Sequence, residues 1–470
     1  MAKLTSIYLA LLIATLPFSA QAHLAQSASG TLSPHQQLAR DIFREVIEIN
    51  TTAKIGSTKA AEAMAARLKT AGFRKTDMAL VGPTPQNQNL VVRYRGKGMH
   101  RPILLIAHLD VVEALGSDWS FDPFTFLEKD GFFYGRGTSD MKNEVAEIVA
   151  NFARLKREGF VPSRDLVLAL TEDEEGGDAN GIQWLLANRR DLIDAEFAIN
   201  LEGGGGDIQN GKPILMEVQT SEKVYVNFQL EAKNKGGHSS LPVKDNAIYR
   251  LAAGLTRLSQ FDFPVRLNET TRLFFERMAQ REDGQTKSDM LALLEDPLNE
   301  AATNRVASSN PYYNALMRTT CVATMLGGGH AENALPQSAR ANVNCRLLPD
   351  DSAENVMSLL NRVLADSQII VTQLAPVSSG PLSPLRKDIL AAVEQLTTSM
   401  WPGVTVTSIM STGASDGNFL REAGIPVYGI SGMFGDINDV RAHGRDERIG
   451  IKEFYDGVEF MYRFIRLFAQ

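Results

Sequence analysis

Short apolar runs alternate with stretches of helical periodicity along most of the chain. Nearly continuous apolar runs lie at residues 89–94, 103–107, 166–170, 197–201 and 426–430. Strands that are buried on both faces of a parallel sheet have this composition. Stretches with helical spacing of apolar residues lie at 34–49, 58–71, 142–158 and 180–188. The alternation predicts an α/β domain with a mostly parallel sheet and helices on its faces.

Between residues 216 and 375 the pattern changes to a second order of elements. Predicted strands lie at 224–232, 319–326, 339–348 and 369–374, and predicted helices lie at 246–258 and 352–364. This β-α-β-β-α-β order is that of a ferredoxin-like domain. We therefore expect a first domain made of residues 23–215 and 376–470, with the second domain, 216–375, inserted into it. A polar, partly helical segment at 261–317 interrupts the insert, and the pattern indicates no role for it.

The first 22 residues have the features of a secretory signal. Lys3 supplies a positive charge, residues 7–18 are mostly apolar, and Ala20-Gln21-Ala22 fits a small-residue cleavage site. An uncleaved membrane anchor is the alternative, but the apolar core is shorter than the roughly 20 residues that a spanning helix needs. We expect cleavage after Ala22 and an exported protein, periplasmic or secreted, with no membrane attachment afterwards.

The composition is that of a globular protein with a large core. Removing 22 of the 470 residues leaves 448, more than one ordinary domain holds, so two domains are expected. The chain is 44% hydrophobic and 22% charged, and its net charge of −7 is spread along the sequence. A spread negative charge argues against a nucleic-acid partner.

The chain has two cysteines, Cys321 and Cys345. They lie in the predicted strands 319–326 and 339–348, whose hairpin would place them opposite each other. A cross-strand disulfide is then geometrically possible, and export to an oxidising space favours it. The alternative is a pair of free, packed thiols.

Polar residues follow three of the predicted buried strands. His108 and Asp110 follow residues 103–107, Glu174 and Glu175 follow residues 166–170, and Glu202 follows residues 197–201. In open α/β sheets, ligands bind in the crevice beyond the carboxyl ends of the strands. We therefore expect a histidine and several carboxylates to meet at one edge of the sheet.

Two further candidates lie on glycine-rich turns. Asp140 belongs to the turn at 135–142, which opens a predicted helix, and His443 precedes Gly444 near the C-terminus. Imidazole nitrogens and carboxylate oxygens are zinc ligands, and five of them exceed the three that one catalytic zinc usually takes. A pair of ions fits this number better. Each residue alone has a simpler explanation, as a loop histidine or a solvated acidic turn.

Several segments together resemble one enzyme family. They are residues 107–112 (AHLDVV), 135–142 (GRGTSDMK), 174–177 (EEGG) and 236–242 (GGHSSLP), followed by His443. This set is similar to the dinuclear-zinc family of glutamate carboxypeptidase, carboxypeptidase S, aminoacylase, acetylornithine deacetylase and succinyl-diaminopimelate desuccinylase. The resemblance covers nearly the whole mature chain in the family's order. The long spacer in the insert and residues 118–124 (DWSFDPF) are most similar to the carboxypeptidase S branch.

The resemblance implies a zinc-exopeptidase-like catalytic domain with an inserted ferredoxin-like lid, or dimerisation, domain. It also implies two zinc ions per chain, for which cobalt or manganese are possible substitutes. Asp140 would bridge the ions, Glu175 and His443 would complete one, and His108 and Glu202 would complete the other. Asn143 replaces a glycine that many members have after the lysine, and this departure puts no ligand in doubt.

The family's catalytic residues map onto three positions. Glu174 would be the general base, and Asp110 would accept the second ring N–H of His108. His238, in the lid, would donate to the oxyanion of the tetrahedral intermediate, often from the partner subunit of a homodimer. The resemblance also implies a cis peptide bond between Asp140 and Met141.

Two lid residues, Asn333 and Arg346, would bind a free carboxylate of the substrate, although both positions also suit ordinary hairpin residues. Arginine is suited to this task by its planar fork of donors. The resulting prediction is an exported dinuclear zinc metallohydrolase that cleaves the amide bond of small peptides, of carboxypeptidase or dipeptidase type. The alternative is an N-acyl-amino-acid hydrolase with the same mechanism.

Overall fold

The structure, a computed structural model, describes residues 31–176 and 178–470. The strands in these residues are β1 Met78–Val81, β2 Asn89–Tyr94, β3 Ile103–His108, β4 Leu127–Lys129, β5 Phe132–Tyr134, β6 Leu166–Thr171, β7 Phe197–Asn200, β8 Gly205–Gln209, β9 Lys212–Glu222, β10 Val224–Lys233, β11 Gly237–His238, β12 Thr320–Gly328, β13 Ala334–Leu335, β14 Ser338–Leu347, β15 Ile369–Gln373, β16 Thr405–Ser411, β17 Val427–Gly429, β18 Phe434–Asp436 and β19 Arg448–Gly450. The predicted signal, residues 1–22, lies outside the described residues.

The α-helices in the same residues are α1 Pro34–Ile47, α2 Thr58–Thr70, α3 Lys142–Arg157, α4 Gly181–Asn188, α5 Arg190–Ile193, α6 Ala247–Ser259, α7 Glu269–Arg281, α8 Gly284–Glu295, α9 Glu300–Ser309, α10 Pro311–Met317, α11 Ala353–Leu364, α12 Lys387–Met400, α13 Gly417–Glu422 and α14 Ile451–Phe468. Of the helices described, none combines the length and the apolar character needed to cross a membrane.

A ten-stranded sheet forms the centre of the first domain. Its order is β1-β2-β6-β3-β7-β17-β9-β8-β18, and β16 pairs with β9. The central strands β6, β3, β7 and β17 run parallel to one another. The mostly parallel sheet predicted from the sequence is confirmed.

Both faces of this sheet are covered, which explains the continuous apolar runs. Leu105 and Ala107 of β3 pack into a core with α1, α3 and α14, whereas Leu104 and Ile106 pack into a second core with α4 and α13. Successive side chains of a strand point to opposite faces, so both sets must be apolar. This packing brings the carboxyl ends of β3, β6 and β7 to one edge.

The inserted domain has the predicted ferredoxin-like topology. Its elements follow the order β10, α6, β12, β14, α11, β15, and its antiparallel sheet has the order β12-β14-β10-β15. Phe228 and Leu230 of β10 pack against Leu251 of α6 and Leu360 of α11. The main sheet continues past the boundary expected at residue 215, because β9 runs to Glu222 and pairs with β16.

The segment 261–317 forms four helices, α7 to α10. Phe274 and Phe275 of α7 share a hydrophobic core with Met290 of α8 and with Ile409 and Met410 of β16. The segment lies within the lid in sequence, yet it packs on a strand of the main sheet. The helices and β16 thus share one core, a packing arrangement that the sequence pattern did not indicate.

The two cysteines are bonded. Cys321 of β12 pairs directly with Cys345 of β14, their Cα atoms lie 4.1 Å apart, and the structure contains the disulfide. The predicted hairpin register is therefore confirmed, and the alternative of two free thiols is wrong in this structure.

Candidate metal centre

Asp140 lies between the two predicted histidine ligands. Its Oδ1 atom is 3.1 Å from Nε2 of His108, and its Oδ2 atom is 3.1 Å from Nε2 of His443. The Asp140–Met141 peptide bond is cis, as the resemblance implied. Each oxygen of one carboxylate thus faces a different imidazole, which is the arrangement that a bridging ligand requires.

The remaining predicted ligands surround this aspartate. Glu175 has carboxylate oxygens 3.0 Å from Nε2 of His443. One group of potential ligand atoms comes from His108, Asp140 and Glu175, and a second comes from His108, Glu174 and Glu202; within each group the atoms lie within 4.8 Å of one another. The structure therefore brings together all five predicted ligands and the predicted base.

The turn before Asp140 depends on glycine. Gly137 has a φ angle of +89°, and a Cβ atom at this position would lie 2.9 Å from Cδ of the buried Lys142 side chain. Lys142 donates from Nζ to the carbonyl oxygen of Ile49, 2.7 Å away, so it has little freedom to move aside. Close packing of this turn sets where α3 begins and where the Asp140 side chain lies.

Burial shapes the charge of the carboxyl groups. Burial raises the pKa of Glu174 to about 8 and that of Glu175 to about 7, and it raises the pKa of Glu202 well above its usual range. Burial also opposes ionisation of Asp140, but hydrogen bonds from His108 and His443 outweigh it and lower that pKa. Several buried carboxyl groups close to two imidazoles are a suitable site for divalent cations, whose positive charge would stabilise the ionised carboxylates.

Asp110 acts differently from the expectation. Nδ1 of His108 lies 3.0 Å from the backbone carbonyl oxygen of Asp110 and 3.6 Å from its carboxylate oxygen. A carbonyl oxygen only accepts hydrogen bonds, so Nδ1 donates to it, and Nε2 is the ring nitrogen that faces Asp140 and would bind a metal ion after losing its proton. The carboxylate instead accepts the backbone N–H groups of Glu174, at 3.1 Å, and Glu175, at 2.9 Å.

The lid residues lie away from this cluster. His238 pairs with Ala334 across β11 and β13, and its Nδ1 atom is 2.7 Å from the Ser240 hydroxyl. The backbone oxygen of Asn333 accepts from the N–H of Ser239, at 3.0 Å. His238 and Asn333 are thus neighbours, but within residues 31–176 and 178–470 neither forms a hydrogen bond or ion pair with the predicted ligands.

Arg346 lies at the opposite end of the lid hairpin from Asn333. It belongs to the last residues of β14, and its guanidinium carbon is 4.6 Å from the centre of the Tyr225 ring. In one chain, the structure therefore does not bring the two predicted carboxylate-binding residues together.

Two residues that the sequence did not single out contact the centre. Glu447 is fully buried and accepts the backbone N–H of Asp140 at 3.1 Å, and Arg136 donates to Glu447 at 2.7 Å. Glu447 follows His443 in a charged stretch that has the composition of a solvated loop, so its pattern gives no sign of burial. The one sequence feature that could have pointed to this contact is Arg136, a charged residue between Gly135 and Gly137.

Comparison with known proteins confirms the suspected family. Residues 104–467 match the family described as Peptidase family M20/M25/M40. Human N-fatty-acyl-amino acid synthase/hydrolase PM20D1 is 31% identical over 376 residues, which cover 78% of this chain and 74% of that protein. Probable carboxypeptidase S-like 2 of Dictyostelium discoideum is 29% identical over 398 residues, which cover 81% of this chain and 74% of that protein.

Solved structures share the fold. The M20 family metallo-carboxypeptidase Sso-CP2 from Sulfolobus solfataricus superposes with a TM-score of 0.66 at 20% identity, over 92% of this chain and 99% of that one. The Bacillus subtilis YXEP protein, a dinuclear metal binding peptidase from the M20 family, gives a TM-score of 0.59 at 10% identity, over 93% and 98% of the chains. The chain therefore belongs to peptidase family M20/M25/M40 and is a hydrolase of amide bonds.

Proposed function

We propose that this chain is an exported dinuclear zinc hydrolase that cleaves small peptides, in the manner of a carboxypeptidase or dipeptidase. The observation that carries the proposal is the position of Asp140, with one carboxylate oxygen 3.1 Å from His108 and the other 3.1 Å from His443. A single carboxylate that serves two imidazoles is suited to hold two ions close together.

The surrounding donors divide into two sets. Asp140, Glu175 and His443 would hold one zinc ion, and Asp140, His108 and Glu202 would hold the other. Cobalt and manganese accept the same nitrogen and oxygen donors. When bound, the ions polarise the scissile carbonyl group and make the attacking water more acidic.

Glu174 is the proposed general base. It takes a proton from the attacking water and returns it to the leaving nitrogen of the amide. Its backbone N–H is held by the Asp110 carboxylate at 3.1 Å, so the side chain starts from a fixed position. Burial raises the pKa of Glu174 to about 8, and nearby divalent charge would lower it again, which leaves an ionised carboxylate.

The lid would complete the site from a second copy of the chain. His238 and Asn333 are neighbours at one end of the lid hairpin, and Arg346 lies at its other end. We therefore propose that one subunit supplies His238 and Asn333, while Arg346 belongs to the subunit whose ions are in use. In this arrangement His238 donates to the oxyanion of the intermediate.

The edge strand β12 is the proposed dimer contact. It is one of the two edge strands of the lid sheet, and Val322, Met325 and Leu326 are 61%, 71% and 71% exposed. Ile248 and Tyr249 of the neighbouring helix α6 are also exposed. An exposed apolar edge strand is a template for pairing with another chain.

The cavity beside the centre has a volume of about 990 Å³ and a mixed lining of apolar side chains, such as Phe132, Met433 and Phe434, and carboxyl groups. The carboxyl groups of Glu144, Asp207 and Glu217 are the part of this lining that favours peptides over long acyl chains. Oε2 of Glu144 has no hydrogen-bond partner among the described residues, and burial raises the pKa of Glu217 to about 8. An alkyl chain would remove water from these carboxyl groups without replacing its hydrogen bonds, whereas amide or amino groups would replace them.

Hydrolysis of N-acyl amino acids is the second candidate function, because the human relative described above bears that activity in its name. A substrate panel separates the two. Zinc-loaded protein without residues 1–22 is tested on dipeptides, on the same dipeptides with an amidated C-terminus, and on N-acetyl and long-chain N-acyl amino acids. We expect the free dipeptides to be hydrolysed fastest and amidation to abolish cleavage. Faster hydrolysis of long-chain N-acyl amino acids would contradict the proposal.

Export has a separate test. Cleavage after Ala22 would leave His23 as the first residue, so the mass of the protein recovered from a periplasmic or culture fraction identifies the cut. The Cys321–Cys345 disulfide supports an oxidising compartment. Recovery of the uncut chain in the cytosolic fraction would overturn this part of the proposal.

A further inference from the structure

Glu447 is bound to the turn that carries Asp140. Its carboxylate accepts the backbone N–H groups of Gly137, at 2.9 Å, Ser139, at 2.7 Å, and Asp140, at 3.1 Å. It also accepts the Ser139 hydroxyl at 3.0 Å. A carboxylate with several donors in a fully buried position fixes the path of this turn, because each N–H that lost its partner would remain buried and unsatisfied.

Arg136 connects the same carboxylate to the loop that carries His443. One nitrogen of its guanidinium donates to Glu447 at 2.7 Å. Another donates to the backbone carbonyl oxygens of His443, at 3.4 Å, and Gly444, at 3.0 Å. The guanidinium carbon lies 5.0 Å from the centre of the Trp119 ring, which packs against it. Its charged head is therefore held on several sides.

The two loops also share a backbone anchor, because β5 pairs with β19 and the N–H of Gly135 donates to the carbonyl oxygen of Glu447 at 3.2 Å. That anchor ends before Asp140 and His443, so the positions of these two side chains depend on the contacts beyond it. Arg136 and Glu447 are 311 residues apart in the sequence. The His443 side chain is 55% exposed, and its backbone adopts a φ angle of +61°. The imidazole thus has no buried pocket of its own, and its direction depends on how the backbone of residues 443 and 444 is anchored.

We propose that Arg136 and Glu447 are a positioning pair that sets the distance between Asp140 and His443, and so makes one of the two metal sites. The side chains are 3% and 0% exposed and touch the backbone of both loops. A buried ion pair is a weak source of stability, because desolvation offsets much of the attraction. Its contacts with two ligand-bearing loops give it a different role, which rests on the proposed metal centre.

The test uses the Glu447→Gln variant of the protein that comprises residues 23–470. This substitution keeps the side-chain volume but replaces one acceptor oxygen with an NH2 group that would face N–H donors. Binding of zinc alone is measured by competition with a chromophoric chelator. We expect one of the two ions to bind about 10- to 100-fold more weakly, as is typical when a group that orients a ligand is lost. The visible spectrum of the cobalt-loaded protein should change as well.

A matched control comes from a second buried ion pair in the same domain. Glu222 and Arg421 lie 2.5 Å apart, with side chains 1% and 2% exposed, and Glu222 also accepts the Ser415 N–H at 2.7 Å. Among the described contacts, this pair anchors neither the Asp140 turn nor the His443 loop. The charge of Glu222 acts on Glu202, a proposed ligand of the other ion, and not on the ion held by Asp140, Glu175 and His443. We therefore expect Glu222→Gln to lower the melting temperature of the metal-free protein while the affinity of the Asp140, Glu175 and His443 site for zinc stays close to that of the wild type.

Arg136→Lys covers the case in which Glu447→Gln fails to fold. Lysine keeps a positive charge beside Glu447 but lacks a second nitrogen for the carbonyl groups of His443 and Gly444. We expect a folded protein that binds one of the two ions more weakly. Wild-type zinc affinity in this variant, or an equal loss in Glu222→Gln, would show that the pair only stabilises the fold. If the wild type itself binds no divalent ion, that result contradicts the proposed metal centre, and the positioning role is contradicted with it.

Discussion

The carboxylate of Asp110 lies 2.9 Å from the backbone nitrogen of Glu175, and its other oxygen lies 3.1 Å from that of Glu174. The backbone carbonyl of Asp110 also accepts from Nδ1 of His108, at 3.0 Å. One residue therefore orients a predicted ligand through its main chain and the loop of the predicted base through its side chain.

This arrangement predicts different results for two substitutions of Asp110. Asp110→Ala removes both acceptors, so we expect kcat to fall by roughly 100-fold, the upper part of the range for residues that orient ligands. Asp110→Asn retains one acceptor oxygen and should lose less. Steady-state kinetics on both variants, with zinc content measured in parallel, test this. Equal activity of Asp110→Ala and the wild type would show that the loop needs no anchor.

Glu174 and Glu175 should differ in their effect on metal content. Glu174→Ala leaves all five proposed ligands, so we expect about two ions per chain but a rate lower by roughly 100- to 10,000-fold, as for a lost general base. Glu175→Ala removes one ligand and should weaken metal binding as well as activity. Substrate affinity should change much less in Glu174→Ala.

Metal analysis beside kinetics separates these outcomes. Turnover close to the wild-type value in Glu174→Ala would contradict its role as base. Loss of an ion from that variant would instead assign Glu174 to the ligand group that it forms with His108 and Glu202.

The disulfide should contribute measurably to stability. Cys321 and Cys345 are separated by 24 residues. A loop of this length corresponds to about 3 kcal/mol in the chain-entropy description. We expect the Cys321→Ala/Cys345→Ala double variant to unfold at lower urea concentration by a comparable free energy. Mass spectrometry after alkylation, with and without reduction, checks that the bond forms.

Lys223 should make the stability depend on pH above neutrality. The residue is buried where β9 passes into β10, its Nζ donates to the carbonyl oxygen of Arg318, and burial lowers its pKa from 10.5 to about 7. At pH values between about 7 and 10.5, Lys223 is protonated in the unfolded chain but not in the folded chain. Stability from this group therefore rises with pH, by at most about 1.4 kcal/mol per unit.

Comparison with Lys223→Met isolates this effect. Urea unfolding at pH 7 to 10 should show the wild type gaining stability relative to the variant as pH rises, whatever constant difference the lost hydrogen bond adds. A gap independent of pH would mean that Lys223 titrates normally.

Most elements could be predicted because their side-chain pattern is local. The strand predicted at 103–107 is β3, Ile103–His108, and the strand predicted at 166–170 is β6, Leu166–Thr171. The candidate ligands that follow these strands could be located for the same reason. Neither prediction needed any knowledge of distant partners.

Features that depend on distant partners could not be predicted. Glu447 lies in a charged stretch, and the residues that bury it, Arg136 and Gly137, are more than 300 positions away. The boundary at 215 was misplaced because β9 and β10 are separated by Lys223 alone, so the pattern remains that of strand while the chain changes domain. The direction of the Asp110 carboxylate depends on two N–H groups that no periodicity reveals.

The docking of α7 to α10 on β16 has a mechanical consequence for the lid. The chain passes between the lid and the main domain four times, near residues 223, 261–268, 318–319 and 374–386. Three of these passages are joined, because the N–H of Arg266 donates to the Met317 carbonyl at 2.8 Å and Lys223 donates to Arg318. Crossings that lie side by side and are joined favour rotation about one line. We therefore expect the lid to swing about that line rather than slide or twist, so that each opening of the crevice follows the same path.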